Sequence, residues 1–245
     1  SIRRVDYEFV RGCLVFFTAI VLYSNLKVRI PIFNPAIGDS VFAEMDLALF
    51  RTDFVWLADW IRNTPWADDL LQRVYIHDYI FMAIYALLLY FRRQSREIRV
   101  LFVAASLTYL SGVWLTIALP SYGPWFLDEK WAWLQQHPMG NYQAHLAHGL
   151  TSVMKAKMGG EPIAVRAFQG IAAFPSLHVG HMMLLLYLSA TNRGLRWYAL
   201  LMGTVATITF LATMAYGWHY AVDALGGAGV AYAGYKIARR LAPRT

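Results

Sequence analysis

The stretch VLFVAASLTYLSGVWLTIAL, from Val100 to Leu119, contains no charged side chain. The segment Trp197–Tyr216 has the same length and is equally free of charge. A helix needs roughly 20 predominantly apolar residues to cross the hydrocarbon core of a bilayer. Both stretches therefore predict membrane-spanning α-helices.

The composition and the remaining apolar stretches extend this prediction to six spans. Only 15% of the residues are charged and 58% are hydrophobic, whereas about a quarter of a soluble domain is charged. Much of the exterior is therefore expected to face lipid. Four further stretches approach the length of a span: Val10–Leu26, Tyr75–Phe91, Ile171–Ala190 and Tyr220–Ala238. We predict an all-α, polytopic integral membrane protein in which residues 1–245 form one bundle of six transmembrane helices.

The distribution of charge predicts the orientation of this bundle. Residues 1–11, 92–99, 191–196 and 236–245 together hold 13 of the 22 basic side chains and only three of the 15 acidic ones. The long loops between the other span ends are acidic on balance. Short basic loops lie in the cytoplasm by the positive-inside rule. Both termini are thus predicted to be cytoplasmic, and the net charge of +7 reports topology rather than nucleic-acid binding.

The first outer loop contains an amphipathic stretch, Phe42–Ile61. Its aromatic side chains are interspersed with Asp46, Asp53 and Asp59. An amphipathic helix of this kind lies along the membrane interface. The interfacial helix is therefore assigned to the outer face of the membrane.

Two short patterns carry the candidate chemistry. The sequence Phe174-Pro-Ser-Leu-His-Val-Gly-His181 opens the fourth span, and His219-Tyr-Ala-Val-Asp223 opens the sixth. The spacing of His219 and Asp223 would place both side chains on one helix face. Both patterns are expected at the outer membrane level, each with a histidine in the first helical turn.

These residue types suit transfer of a phosphoryl group. A carboxylate within a span is costly without a partner, and His219 is the obvious partner of Asp223. An aspartate bonded to one ring nitrogen fixes the tautomer and makes the other nitrogen a better base or nucleophile. His178 could then protonate a departing oxygen, which completes the parts needed for covalent catalysis. The helix N-termini nearby would suit a phosphate.

The two patterns resemble the second and third signature motifs of the type 2 phosphatidic acid phosphatase superfamily. The resemblance covers roughly residues 100–235, the motif-bearing core. The Phe-Pro-Ser-Leu-His form, the segment Leu119-Pro…Pro124-Trp125 and Gly217-Trp-His219 look closest to the inositol phosphorylceramide synthase branch, whose members are lipid phosphotransferases. The resemblance implies six spans, an outward-facing site on the periplasmic, extracellular or lumenal side, and no metal or organic cofactor.

By this resemblance His219 would be the nucleophile that forms a phosphohistidine, Asp223 its partner and His178 the general acid. Ser176 would help to hold the phosphate. The sequence departs from the phosphatases at Thr213, where they carry an arginine, and in lacking a clear first motif. Arg166 and Lys130 are the remaining candidates for binding phosphate.

The loss of the family's arginines favours a transferase, with a phospholipid or lipid-phosphate donor and a hydroxylated lipid or alcohol as acceptor. A lipid phosphate phosphatase that uses water is the alternative.

Two other functions remain open from the residues alone. His178, His181, His219 and Asp223 could ligate a metal in a hydrolase, because their spacings place ligands on one helix face. A transporter also places ionisable groups inside the membrane, although its site usually lies near the midplane between repeats. His181 is interpreted as a packing residue, and His77 and Asp78 as interfacial residues.

Overall fold

A computed structural model of the chain describes residues 2–127, 129–159 and 170–242. All regular structure in these ranges is helical, which confirms the all-α prediction for them. The α-helices in chain order are α1 (Ile2–Val28), α2 (Ile30–Phe33), α3 (Asp39–Phe50), α4 (Val55–Arg62), α5 (Pro65–Ile76), α6 (Tyr79–Phe91), α7 (Ser95–Ala118), α8 (Pro124–Leu127), α9 (Pro138–Gly159), α10 (Leu177–Thr191), α11 (Arg196–Ala215) and α12 (Ala221–Leu241). Two 3₁₀ helices, Glu129–Gln136 and Arg193–Leu195, connect neighbouring elements.

Several of these helices are suited to crossing a membrane. Within the described residues, three are long and apolar enough: Arg3–Val28, Ser95–Ala118 and Arg193–Ala215. A fourth span is formed if α5 and α6 count as one broken helix, because the two are bent by 56°. The chain is therefore a helical protein of the multi-pass membrane type. The predicted number of six spans remains a prediction.

The boundaries of two predicted spans differ from the sequence assignment. The stretch Tyr75–Phe91 is interrupted at His77 and Asp78, where α5 ends and α6 begins. The stretch Ile171–Ala190 is not helical before Leu177, and α10 has only 15 residues. Hydropathy alone missed the first break because apolar residues flank His77 and Asp78 on both sides. The second arises because Pro175 and the capping side chain of Ser176 set the start of the helix.

The helix α7 lies in the middle of the bundle and packs against α1, α10 and α12. Small residues let α10 and α12 approach closely, as the glycine- and alanine-rich sequence of the last span suggests. A Cβ atom at Gly180 would lie 2.8 Å from the carbonyl oxygen of Gly227, and one at Gly227 would collide with the carbonyl oxygen of Ser176. This close contact fixes the relative position of the two helices that begin at the candidate motifs.

The four basic segments meet at one end of the bundle. Their contacts are salt bridges and a hydrogen bond between segments that are far apart in sequence: Arg99 with Glu8, Arg239 with Glu97, and Arg92 with the backbone oxygen of Gly194. The candidate motifs lie at the opposite ends of α10 and α12. The two faces of the predicted topology are thus separated along the bundle, while the side on which each lies remains a prediction.

The predicted interfacial helix is two helices, so this assignment needs correction. Arg51 and Phe54, which flank the break between α3 and α4, have φ angles of 59° and 60°, a left-handed conformation that a continuous helix cannot accommodate. The helix α3 also buries two of its three acidic side chains, Asp39 and Asp46, while Glu44 is exposed. Its large exposed apolar side chains include Val41, Met45, Leu47 and Leu49. Much of its outer surface is therefore apolar, as contact with lipid requires.

Candidate active site

The start of α10 places His178 in the first helical turn, as predicted. Ser176 is the N-cap, and its side-chain oxygen accepts from the backbone N–H of Val179. The backbone N–H of Ser176 donates to the carbonyl oxygen of Asp223 at 2.9 Å. This bond joins the two sequence motifs directly through the backbone.

His219 and Asp223 lie close together, but not on one helix face. The helix α12 begins at Ala221, so His219 precedes it. Its Nδ1 lies 3.4 Å from Oδ2 of Asp223, and that oxygen accepts a hydrogen bond of 2.9 Å from the backbone N–H of Tyr220. Asp223 therefore caps α12 as well as facing the histidine. The i, i+4 argument was wrong about the helix, although the predicted proximity is present.

Asp78 is a site residue that the sequence interpretation missed. Only 1% of Asp78 is exposed, so its assignment as an interfacial residue was wrong. Nδ1 of His178 donates to its Oδ2 at 3.0 Å, and Nδ1 of His181 lies 3.7 Å from the same oxygen. The break between α5 and α6 turns this carboxylate into the bundle. A charged residue beside an interruption in an apolar stretch is the signal that could have indicated it.

Aromatic rings hold His178 from its other side. The ring of Tyr75 stacks on that of His178 with centroids 4.3 Å apart, and on that of Trp218 with centroids 5.9 Å apart. The centroids of His178 and His219 are 6.4 Å apart. The two imidazoles therefore meet at one place, each with its own carboxylate.

Both histidines line a cavity of about 280 Å³. Its other described lining residues are mostly tyrosines and apolar side chains, with one lysine, Lys27. Five tyrosines contribute to the wall: Tyr23, Tyr75, Tyr79, Tyr109 and Tyr142. The arrangement provides two imidazoles, several hydroxyl groups and one cation around a space for a small headgroup.

Two buried carboxylates of α3 hold the loops around this cavity. Asp46 accepts from the backbone N–H groups of Ala221 and Val222, at 2.7 and 2.9 Å, at the start of α12. Asp39 accepts from the backbone of Gly123 and from the hydroxyl of Tyr220. Burial raises the pKa of both carboxyls, and the N–H groups that donate to them oppose that shift. A carboxylate at a helix N-terminus satisfies unpaired N–H groups and the helix dipole.

The three candidate phosphate ligands have different positions. Ser176 is fully buried as the cap of α10 and is not among the described residues that line the cavity. Lys130 lies on the 3₁₀ helix Glu129–Gln136, where its Nζ is 2.9 Å from a carboxylate oxygen of Asp53, and it is likewise not among those lining residues. Arg166 falls outside the described residues. The structure thus brings together His178, His219 and Asp223, and places Lys130 elsewhere.

The arrangement of possible metal ligands bears on the alternative of a metal site. Among residues 2–127, 129–159 and 170–242, no group of three or more His, Cys, Asp or Glu side chains is arranged to hold a metal ion. His181, one of the proposed ligands, is fully buried beside Tyr79, with ring centroids 5.4 Å apart. Its position fits the interpretation as a packing residue.

The sequence matches the family model described as the PAP2 superfamily over residues 42–237. This is most of the chain, which therefore belongs to the PAP2 (type 2 phosphatidic acid phosphatase) superfamily. The match begins within α3 and so extends well before the core expected from the motifs. No curated protein and no solved structure matches the sequence significantly. Membership of the superfamily makes the chain an enzyme of the phosphatase or phosphotransferase type that acts on phosphate esters.

Proposed function

We propose that this enzyme transfers a phosphorylated headgroup from a lipid donor to an acceptor hydroxyl, through a phosphohistidine, at the non-cytoplasmic membrane face. The observation that supports it is the pair of imidazoles on one cavity. His178 is hydrogen-bonded to Asp78, and His219 faces Asp223. Two histidines, each with a carboxylate beside it, are what an exchange of a phosphoryl-bearing group needs: one for covalent catalysis and one for proton transfer.

In the first half of the reaction, the ring nitrogen of His219 that faces away from Asp223 attacks phosphorus. A nitrogen–phosphorus bond forms as the bond from phosphorus to the leaving oxygen breaks. The protonated ring of His178 gives its proton to that oxygen, so the lipid part of the donor leaves as an alcohol while the phosphorylated headgroup stays on His219. Asp223 holds the nucleophilic ring in the required tautomer, in the manner of the carboxylate of a catalytic triad.

In the second half, the acceptor hydroxyl takes the place of the departed alcohol. His178, now neutral, removes its proton as the oxygen attacks phosphorus and the bond to His219 breaks. The new phosphate ester is released and both histidines return to their starting states. The same residue serves as acid and then as base, as microscopic reversibility requires.

Transfer is favoured over hydrolysis by the charge of the site. A phosphate monoester carries nearly two negative charges, and arginines grip it by paired hydrogen bonds. At the position of the phosphatases' arginine this chain has Thr213, whose hydroxyl donates to the backbone oxygen of Phe210 at 2.7 Å. The described part of the cavity wall contains no arginine. A phosphodiester, with a single negative charge, suits such a site better.

The proposal is tested with a phosphodiester lipid labelled with ³²P in the headgroup phosphate. Purified protein in detergent is mixed with this donor, quenched in alkali and separated on a gel, because a phosphohistidine survives alkali and is lost in acid. Label should remain on the native chain and be absent from His219→Ala. Adding a hydroxylated lipid should move the label from protein to a new lipid. A chain that never becomes labelled, yet transfers the headgroup, would exclude the covalent mechanism.

A further inference from the structure

The outer end of α1 supplies a cation to the active-site cavity. Lys27 lies one residue before the end of this helix and lines the cavity together with His178 and His219. Among the described lining residues it is the one lysine, and there is no arginine, aspartate or glutamate. The cavity wall therefore carries positive charge that no lining carboxylate neutralises.

Lys27 has no charged partner among the residues that the structure describes. It forms no hydrogen bond or ion pair with any residue in the described ranges, and the ring of Tyr23, 5.9 Å from its Nζ, is its closest charge-related contact. Lys27 is half-buried, and an ammonium group partly withdrawn from water gains from an accompanying anion. The rest of the described wall offers imidazoles, hydroxyl groups and apolar surface. An anionic ligand in the cavity is the partner that fits this charge.

We propose that Lys27 binds the phosphate of the donor and selects a phosphodiester over a phosphomonoester. This inference rests on the proposed function and adds the residue that binds the negatively charged phosphate. One ammonium group matches the single charge of a diester, and it leaves part of a monoester's charge unneutralised. The hydroxyl of Tyr109 donates to that of Tyr79 at 3.0 Å, and such groups can bond to the uncharged parts of a headgroup.

The position of Lys27 also suits a donor that carries a lipid tail. Of the three helices long and apolar enough to span a membrane, α1 is the least buried. In its most apolar stretch 17% of the residues are buried, against 61% in that of α7. Ile20 and Tyr23 face the cavity from the same helix that exposes Phe17 and Leu22. A diester bound at Lys27 can therefore keep its headgroup among the tyrosines while its tail lies against the outer surface of α1.

Binding of a soluble probe tests this without turnover. The full chain in a maltoside micelle, which contains no phosphate, is titrated with dibutyl phosphate and with monobutyl phosphate, and binding is followed by ³¹P NMR. Loss of one charge-assisted hydrogen bond weakens binding by roughly ten- to a hundredfold. Lys27→Gln should weaken dibutyl phosphate binding by this factor, and Lys27→Arg should keep it. The matched control is Lys236→Gln, which removes an exposed lysine that lies 5.8 Å from the ring of Tyr232, away from the cavity, and should bind as the native chain does.

Chemical rescue provides a second measurement on one preparation. In a Cys13→Ser background, Lys27→Cys should bind the diester weakly, and alkylation with 2-bromoethylamine, which restores an ammonium group, should recover binding. Unchanged binding in Lys27→Gln, equal weakening in Lys236→Gln, or no preference for the diester would overturn the inference, as would no binding by the native chain. Diester binding that depends on Lys27 in a chain that forms no phosphohistidine would instead refute the proposed function and leave this site standing.

Discussion

The carboxylate of Asp78 accepts a 3.0 Å hydrogen bond from Nδ1 of His178, across a separation of 100 residues in sequence. A carboxylate can only accept, so Nδ1 carries the proton and Nε2 is the nitrogen left for chemistry. Oδ2 of Asp223 lies 3.4 Å from Nδ1 of His219, beside it but without a hydrogen bond between the two. The site therefore contains two carboxylate–histidine pairs, of which the motifs contain one.

The first prediction concerns the role of Asp78 in proton transfer. Asp78→Asn should lower turnover by on the order of 10²-fold, because the amide no longer fixes the tautomer of His178 and general acid catalysis contributes roughly 10²–10⁴-fold. The loss should shrink for a donor with a p-nitrophenolate leaving group, which departs without protonation. Rates for the two donors are compared by following product release.

A matched control is Asp69→Asn, which removes an exposed acid of the preceding helix α5 that pairs with Arg73. It should leave both rates unchanged. If Asp78→Asn slowed the two donors equally, Asp78 would be a structural residue and not one that positions an acid.

The second prediction concerns the nucleophile and its partner. His219→Ala should abolish transfer while the protein remains folded, since no other described group beside the cavity is placed to accept the phosphoryl group. Asp223→Asn should lose on the order of 10²–10⁴-fold and yet keep most of its thermal stability, because an amide oxygen can still accept from the backbone N–H of Tyr220. Activity and melting temperature are measured on the same preparations. Near-native activity in His219→Ala would refute the mechanism.

The sequence predicted those parts of the site that lie close together along the chain. His178 and Asp223 were found from local motifs, because a helix start and a short spacing fix their positions. Asp78 and Lys27 could not be found in this way, since tertiary packing of α1 and of the break between α5 and α6 brings them to the cavity. Asp46 is another example. The sequence predicts that its carboxylate belongs to the polar face of an interfacial helix. In the structure it accepts a hydrogen bond at the start of α12, 175 residues away.

The third prediction concerns metal ions. A phosphohistidine mechanism needs no Lewis acid, so transfer should survive dialysis against EDTA. Elemental analysis of the active protein should find no stoichiometric zinc. Inactivation by EDTA that one particular metal reverses would favour the hydrolase alternative, in which His178 and His219 are ligands.

The fourth prediction concerns topology. In a Cys13→Ser background, Arg193→Cys places a thiol at the basic end of the bundle. Gln136→Cys places one between α7 and α10, in the segment predicted to lie outside. Both positions are exposed. In intact cells an impermeant maleimide should label the second variant and spare the first, because basic loops stay in the cytoplasm. Both should react after the membrane is permeabilised. The reverse pattern would invert the orientation and the side on which the site opens.

The last prediction separates a transferase from a phosphatase. Both share the attack of His219 and differ in what resolves the phosphohistidine. A lipid hydroxyl competes with water only if the cavity limits water's access. Trp218 lines the cavity and Trp125 lies against it, with ring centroids 6.0 Å apart, so indoles cover this side.

Purified protein in mixed lipid should therefore release little inorganic phosphate from phosphatidic acid. It should form a new phospho-headgroup lipid when given a diester donor and a hydroxylated lipid. The two products are measured in the same reaction, by phosphate release and by mass spectrometry of the lipids. The Trp125→Ala variant is compared with the native chain. Removing this indole should give water better access to the cavity and so raise hydrolysis relative to transfer. Rapid phosphate release from phosphatidic acid, with no transfer product across a panel of acceptors, would identify a phosphatase instead.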